Sequence, residues 1–258
     1  MDVIQIMYKM MGALHKRNLS VVFKGSMVLR HVIAENTNLD THRLTADFDI
    51  DWAMSLLSKE EFERLFQDVL DSLNVGSFVV VCSVKPKKNF NGTFDIYTPD
   101  GAEILFSIDL VKRQNEWGVE YSIPGGIEFV GASVVKMFAD KIAVISGKAV
   151  LQCPQDVYDL YLISHLKGWK LRVLRETLEK IGRKIYDFTE FLDEGSMDNG
   201  PIRTKYDSLT NIINPPHFDI LYGRVRDFCM PFIIKEFSDD VEWYVSEQKW
   251  NQIHHSSR

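Results

Sequence analysis

Hydrophobic spacing divides the first half of the chain into predicted helices and strands. Apolar residues that recur every three or four positions predict amphipathic helices over residues 3–17, 26–36 and 58–74. Apolar runs and strict alternation, interrupted by Gly, Pro and Asn-Gly turns, predict strands. The predicted strands cover residues 19–26, 43–52, 77–86, 92–99 and 102–112.

The pattern changes near residue 132, because almost every later segment has helical spacing. Helices are predicted over residues 133–146, 154–166, 170–183, 203–213 and 218–248, with an exposed loop at 193–204. The sequence therefore predicts an α+β fold. A mixed sheet with flanking helices forms the domain of residues 1–132, and a helical domain follows over residues 133–258.

Composition restricts the class of protein. The chain has 258 residues and 45% hydrophobic residues, enough for one large domain or two small ones. The chain has 30 Lys and Arg residues against 36 Asp and Glu, so we do not expect it to bind nucleic acid over its whole surface. A local basic patch is compatible with this composition. No apolar run approaches the roughly 20 residues of a membrane span, and residues 1–18 read as an amphipathic helix rather than a signal peptide.

The three cysteines indicate a compartment. Cys82, Cys153 and Cys229 are odd in number and far apart in the sequence, which is untypical of a disulfide framework. They predict reduced thiols and a cytoplasmic location, because disulfides are rare where thiols are kept reduced.

The stretch TADFDIDW, residues 45–52, alternates carboxylates with apolar side chains. In a strand, Asp47 and Asp49 point to the same face, where two carboxylates repel each other. A solvated edge strand and a divalent metal site are both compatible with this arrangement. A calcium-binding loop is excluded, because the required Gly and Glu positions are occupied by Trp52 and Ser58.

Besides Asp47 and Asp49, two further stretches contain residues that are candidates for binding phosphate or metal. A predicted strand ends at Gly25 and a helix begins at Ser26, which supplies N–H groups and a hydroxyl that can bind phosphate. Asp109 is a single acid within the apolar strand ILFSIDLV, where a carboxylate is costly unless paired or metal-bound. Asp95 has similar surroundings, and we interpret it as a solvated residue near a turn.

These stretches together resemble a known family. VFKGSMVLR (22–30), RLTADFDID (43–51) and FADKIAVIS followed by PQDVYDLYLI (138–163), with Asp109 on a later strand, resemble the AbiEii/MenT-type nucleotidyltransferases. That family lies within the nucleotidyltransferase superfamily of DNA polymerase beta. The resemblance covers roughly residues 20–165. Two features depart from it: the long spacing between Ser26 and Asp47, and Gln155, where the family usually has Lys or Arg.

The resemblance implies transfer of a nucleoside monophosphate from an NTP to an acceptor hydroxyl. It implies that Asp47, Asp49 and Asp109 hold Mg²⁺ or Mn²⁺, and that Asp109 also helps to deprotonate the acceptor. Lys141 would contact the triphosphate, and Asp159 would orient Lys141 or the base. The further nucleotide-binding residues that it implies are Gly25, Ser26, Arg43, Thr45 and Asp156.

The resemblance also implies partners. It indicates the toxin of a bacterial toxin–antitoxin or abortive-infection system, with RNA, favouring a tRNA end, or a protein as acceptor and a possible cognate antitoxin. The helical domain would complete the nucleotide site and bind the acceptor. Basic runs at 85–89 and 170–184 are then candidates for acceptor phosphate contacts.

Two other functions stay open at this point. The first is a non-catalytic nucleotide-binding module, although crowded carboxylates have no evident purpose there. The second is a small-molecule nucleotidyltransferase of the antibiotic-modifying kind, which would not explain the helices of Lys141 and Asp159.

Overall fold

A computed structural model of the chain describes residues 2–40, 42–55, 57–84, 92–113, 117–234 and 236–253. The basic run at 85–89 lies outside these residues. The helices are α1 (Val3–Lys16), α2 (Ser26–Asn36), α3 (Lys59–Ser72), α4 (Val134–Ile145), α5 (Pro154–Ile163), α6 (Leu171–Ile181), α7 (Thr189–Gly195), α8 (Pro201–Asp207) and α9 (Phe218–Ile233), with a 3-10 turn at Lys148–Leu151. The strands are β1 (Val21–Lys24), β2 (His42–Arg43), β3 (Asp47–Trp52), β4 (Val79–Val84), β5 (Gly92–Tyr97), β6 (Ile104–Lys112), β7 (Gly118–Ile123), β8 (Ile127–Ala132), β9 (Ile212–Ile213), β10 (Val241–Tyr244) and β11 (Lys249–Gln252).

The chain divides into two compact units, and the first contains a mixed seven-stranded sheet. This unit comprises residues 1–31 and 44–133. Its strand order is β4-β5-β6-β3-β1-β8-β7. Strand β3 runs antiparallel to β1 and parallel to β6. The predicted α+β class with an N-terminal mixed sheet is confirmed.

One face of this sheet is apolar and is covered by helices α1 and α3. Phe23, Phe48 and Ile50 on the central strands are almost fully buried. Phe62 of α3 contacts the rings of Trp52 and Phe94. The alternation of each central strand places its apolar residues on this side, so burying them drives the helices onto one face only.

Helix α3 begins where the sequence predicts, at a capping box. The Glu61 amide donates to the Ser58 hydroxyl at 3.2 Å, and the Ser58 amide donates to the Glu61 carboxylate at 2.7 Å. These two bonds satisfy N–H groups that a helix start otherwise leaves without partners.

The same helix also covers the edge of the sheet at β4. The backbone N–H groups of Val80 and Cys82 donate to the side chains of Gln67 (3.2 Å) and Glu63 (2.8 Å). The Gln67 amide returns a hydrogen bond to the carbonyl of Phe78 at 3.0 Å. Side chains of α3 thus satisfy backbone groups that an edge strand would otherwise expose.

The second unit comprises residues 32–43 and 134–258 and consists mainly of helices. Its core contains an aromatic cluster in which Phe138 packs on Trp169 and Phe228. The segment 32–43 belongs to this unit, where β2 pairs with β9 and the Asn214 amide donates to the carbonyl of Asp40 at 2.9 Å. Helix α2 therefore contributes residues to both units.

The sequence-based prediction was wrong at several places in this unit. A helix was predicted over 218–248, but α9 ends at Ile233 and strands β10 and β11 form a hairpin. Trp243 is opposite Trp250 in the hairpin, and its indole donates to the carbonyl of Ser164 at 2.8 Å. These long-range contacts decide the structure of an aromatic segment whose periodicity is ambiguous.

Residues 193–213 also differ from the prediction. The loop predicted at 193–204 contains the end of α7 and the start of α8. The helix predicted over 203–213 ends at Asp207, because Ile212 and Ile213 pair with β2. Within the described parts of the chain, no helix has the length and apolar character needed to cross a bilayer.

Candidate active site

The second face of the first unit's sheet is polar and carries the acidic residues. Asp47, Asp49 and Asp51 alternate with Phe48 and Ile50, so their side chains are directed away from the apolar core. The alternation in TADFDIDW thus has a structural cause. The apolar positions complete the core and the acidic ones form the outer face.

Register brings two of the predicted acids side by side. Asp49 of β3 lies directly opposite Asp109 of β6, and neighbouring strands are about 4.8 Å apart. Asp47 lies two positions along the same strand and is exposed. Three carboxylates therefore occupy one small area of the sheet. The alternation within β3 predicts this for Asp47 and Asp49, and the register of β3 with β6 adds Asp109.

The third aspartate of the motif has a different partner from the other two. The Lys24 ammonium lies 2.7 Å from Asp51 Oδ1, and both side chains are largely buried. Asp51 is therefore neutralised by a neighbouring cation. This pairing was not predicted, because it depends on the antiparallel register of β1 and β3.

Hydroxyl groups of Thr and Ser residues donate hydrogen bonds to several of the carboxylates. Thr45 Oγ1 donates to Asp47 Oδ1 at 2.6 Å, and Thr93 Oγ1 donates to Asp109 Oδ1 at 2.7 Å. Ser107 Oγ donates to Asp95 Oδ1 at 2.6 Å. The prediction that Asp95 is solvated was wrong, because this residue is buried in the middle of β5.

Gly25 lies against the Asp49 carboxylate. Its φ of +76° is in the left-handed region, and a Cβ atom at this position would overlap the Asp49 carboxylate. Ser26, which is buried, follows at the start of α2. A left-handed backbone turn and a helix N-terminus therefore lie beside the Asp49 carboxylate, and the backbone N–H groups of a helix start are of the kind that can bind a phosphate group.

The carboxylates of the sheet are oxygen donors of the kind that a divalent cation such as Mg²⁺ prefers. Among the described residues, no group of three or more His, Cys, Asp or Glu side chains could hold a metal ion by itself. Mg²⁺ usually takes only one or two protein carboxylates and completes its shell with phosphate oxygens and water. The pair Asp49 and Asp109 supplies the hard oxygen donors that such a site requires.

The second unit contains a separate cluster of charged side chains. Lys141 Nζ lies 2.8 Å from Asp159 Oδ2 and also contacts Asp156 Oδ1. Arg43 Nη1 is 3.9 Å from Asp159 Oδ2, and the pairing of β2 with β9 places it there. The contact between Asp159 and Lys141 is the one that the family resemblance implies, whereas the contact between Asp156 and Lys141 was not predicted.

Burial and charge determine the protonation of this cluster. Burial by itself lowers the pKa of the Lys141 ammonium, but the two carboxylates outweigh it and raise the pKa above its ordinary value. Burial raises the pKa of the Asp156 carboxyl, and the attraction of Lys141 does not cancel this rise. The neighbouring Asp159 carboxylate adds to the rise in the pKa of Asp156.

Asp159 is the most buried member of the cluster. Its side chain is 1% exposed, and its Oδ1 atom has no hydrogen-bond partner among the described groups. A buried carboxylate oxygen without such a partner is costly, even though the other oxygen of Asp159 pairs with Lys141. Asp156 lies in the first turn of α5, where the helix dipole favours an acidic residue. Asp159 lies one turn further along the same helix.

The structure thus distributes the predicted residues over the two units. Asp47, Asp49, Asp109 and their neighbours occupy the first unit, and the Lys141 cluster occupies the second. Sequence reasoning missed the partners of the acids, which are Lys24, Thr93 and Ser107. The polar positions of these residues in alternating strands were visible, but the register that pairs them was not.

Comparisons with known proteins agree on family and fold. The model of the nucleotidyl transferase AbiEii toxin family, of type IV toxin–antitoxin systems, matches residues 7–247. Among six matching solved chains is MenT4, a nucleotidyltransferase toxin from Mycobacterium tuberculosis H37Rv. It aligns with a TM-score of 0.53 and 14% identity, over 95% of this chain and 86% of that chain, which establishes a shared fold. A comparison with curated proteins gives no match.

Proposed function

Because the chain belongs to the AbiEii nucleotidyltransferase toxin family, we propose that it moves a nucleoside monophosphate from an NTP to an acceptor hydroxyl. The acceptor oxygen forms a bond to the α-phosphorus, and the bond from that phosphorus to the bridging oxygen of the β-phosphate breaks. The hydroxyl proton passes to a carboxylate, and pyrophosphate leaves. The observation that carries this proposal is the direct juxtaposition of Asp49 and Asp109 beside Gly25.

The acids of the sheet have separate tasks in this reaction. Asp49 and Asp109 hold the cation together with phosphate oxygens of the NTP, Asp47 supplies a further carboxylate beside it, and Asp109 also accepts the proton from the acceptor hydroxyl. Bound Mg²⁺ or Mn²⁺ supplies Lewis-acid stabilisation of the phosphoryl oxygens. Thr45 keeps the Asp47 carboxylate oriented through the hydrogen bond between them.

Binding of a phosphate group requires groups with positive partial charge, and backbone N–H groups in the turn after β1 can supply it. Gly25 lets the backbone approach a phosphate closely, and Ser26 offers a hydroxyl and the first N–H groups of α2. We assign these two residues to the β- and γ-phosphates of the NTP.

We assign the Lys141 cluster to the same reaction. An ammonium that stays protonated can stabilise the negative charge that develops on pyrophosphate. Asp159 and Asp156 hold this ammonium in position, and Arg43 offers a second cation. In this proposal the first unit, residues 1–31 and 44–133, carries the acids of the sheet, and the second unit, residues 32–43 and 134–258, carries the Lys141 cluster and binds the acceptor.

The family name suggests the biological setting. We propose a toxin whose acceptor is RNA, with a tRNA end preferred, or a protein hydroxyl. A cognate antitoxin would then oppose it. The chain's excess of acidic over basic residues leaves recognition of RNA to local basic residues.

A labelling experiment tests the reaction. The purified protein is incubated with each of the four α-labelled NTPs, Mg²⁺ or Mn²⁺, and total cellular RNA or protein. One NTP should label an acceptor, EDTA should stop labelling, and Asp49→Asn or Asp109→Asn should reduce it by about 100-fold or more. Asp100→Asn, at an exposed turn between β5 and β6, is the matched control and should label normally.

Different results would contradict different parts of the proposal. Full labelling by Asp49→Asn and Asp109→Asn would show that these acids do not carry the reaction. Binding of an NTP without transfer to any acceptor would favour the nucleotide-binding module. Labelling of a small-molecule acceptor added in place of the RNA and protein, without labelling of either macromolecule, would favour the antibiotic-modifying kind of enzyme.

A further inference from the structure

The acids on the polar face of the sheet differ in the chemical type of their hydrogen-bond partner. Asp51 is paired with an ammonium, Lys24, at 2.7 Å. Asp47 and Asp109 instead accept hydrogen bonds from the hydroxyls of Thr45 and Thr93. An ammonium neutralises a carboxylate, whereas a hydroxyl orients it and leaves its charge available to a cation.

Thr93 is the more informative of the two threonines. Thr45 is two residues from Asp47, so its contact is local. Thr93 belongs to β5 and lies directly opposite Asp109 of β6, so only the register of the sheet brings them together. Thr93 is half-buried, and neither the sequence motifs nor the family resemblance includes it.

Asp109 needs an external constraint on its side chain. Asp49 lies opposite it on the other side, on β3, and like charges on neighbouring strands repel each other. The terminal torsion of an aspartate is broad, so the side chain has little intrinsic preference that would resist this repulsion. Thr93 lies on the strand away from Asp49 and fixes Oδ1, which leaves Oδ2 without that bond.

We propose that Thr93 is a positioning residue for Asp109, which fixes this carboxylate for cation binding without neutralising it. The inference rests on the proposed nucleotidyl transfer. It assigns to Thr93 no contact with the substrate. Its effect is exerted through the orientation of Asp109 and is measurable as a change in affinity for the cation.

The experiment compares Thr93→Val with Thr93→Ser. Valine keeps the branched shape and the strand preference but lacks the hydroxyl, whereas serine keeps the hydroxyl. Mn²⁺ binding is measured by electron paramagnetic resonance in the presence of the NTP that the parent uses, together with kcat and KM. We expect Thr93→Val to weaken Mn²⁺ binding by about 10–100-fold and Thr93→Ser to restore most of it.

The turn that connects β5 to β6 provides a matched control for the substitution of Thr93. Thr98 Oγ1 donates to the Asp100 carboxylate at 2.5 Å in the exposed turn between β5 and β6. Thr98→Val removes the same kind of bond outside the acidic face, so it should leave Mn²⁺ affinity unchanged. High Mn²⁺ concentrations should recover turnover in Thr93→Val, because the acids themselves are present.

Failure of the inference is distinguishable from failure of the proposed function. If the parent protein neither binds Mn²⁺ with an NTP nor transfers, the proposed function is wrong. If the parent does both and Thr93→Val matches it, the positioning role is wrong while the function stands. If Thr93→Val does not fold, Thr93→Ala is compared with Thr93→Ser, and equal Mn²⁺ affinities of these two variants overturn the inference.

Discussion

At the scale of single residues, Gly25 combines a left-handed backbone conformation with a position directly against the Asp49 carboxylate. We predict that Gly25→Ala costs about 1–2 kcal/mol of folding free energy for its left-handed backbone and also abolishes transfer. The loss of transfer follows because the new Cβ atom would displace the Asp49 carboxylate. Urea unfolding and the labelling assay measure the two effects separately.

Gly101 provides the control for this substitution. Its φ of +70° is almost the same, but an added Cβ atom would meet no atom within 4 Å. Gly101→Ala should therefore lose similar stability and keep full transfer. Equal activities of the two alanine variants would show that the contact between Gly25 and Asp49 has no role in the reaction.

The sequence allowed the candidate acids to be predicted but not their partners. Alternation in TADFDIDW places Asp47 and Asp49 on one face, because strand geometry is local. The pairing of Asp109 with Thr93, and of Asp51 with Lys24, depends on which strands are neighbours and in what register. Asp95 was misinterpreted for the same reason, because its burial follows from the strands on either side of it.

At the scale of elements, two arginines of helix α6 connect it to the last turn of α9 and to the segment that follows. Arg175 donates to the carbonyls of Pro231 (2.9 Å) and Phe237 (3.2 Å) and pairs with Asp239. Arg172 pairs with Asp240 at 2.6 Å, but both side chains are more than half exposed. These internal contacts offer a structural role for a helix that the sequence suggested as an acceptor-binding surface.

We predict that Arg175→Met lowers the free energy of unfolding by about 1.5–3 kcal/mol, because it leaves two carbonyls without a charged donor. Arg172→Met should cost less than about 1 kcal/mol, as is usual for exposed ion pairs. Chemical unfolding of both variants checks the difference.

Measuring RNA binding by the same two variants shows whether the arginines of α6 bind RNA or only stabilise the fold. If α6 contacts RNA phosphates, each substitution should weaken binding and reduce its dependence on salt concentration. Unchanged RNA affinity in Arg172→Met, the variant with nearly normal stability, would leave the arginines of α6 with a structural role only.

Elements with strong local signals were predicted well, and those fixed by distant contacts were not. The capping box of Ser58 and Glu61 marks the start of α3 in the sequence itself. The hairpin of β10 and β11 has no such local marker, since Trp243 and Trp250 become ordered by packing on Phe228. Strand β9 forms only because β2 is available to pair with it.

At the scale of the whole molecule, the two units do not correspond to two continuous stretches of sequence. Residues 32–43 lie between two segments of the first unit but make their contacts in the second. Val32 and Ile33 are buried, and Arg43 pairs with Ile212. A division of the chain at residue 132 would separate this segment from its partners.

We predict that a fragment of residues 1–133 is unstable when expressed alone. Val32 and Ile33 would be exposed, and burial of apolar surface contributes about 25 cal/mol per Å². The fragment should bind a hydrophobic dye and lack a sharp melting transition, and co-expression of residues 134–258 should reduce the dye binding. A sharply melting, dye-free fragment would show that residues 32–43 do not need the second unit.

The edge strand β4 has a consequence for the protein at high concentration. Its outward N–H groups are occupied by Glu63 and Gln67 of α3, while Val79, Val81 and Val84 remain about 40% exposed. Protection against strand-to-strand association between molecules therefore depends on two side chains rather than on the backbone. Substitution of Glu63 and Gln67 would leave the N–H groups of Val80 and Cys82 available to a strand of a neighbouring molecule.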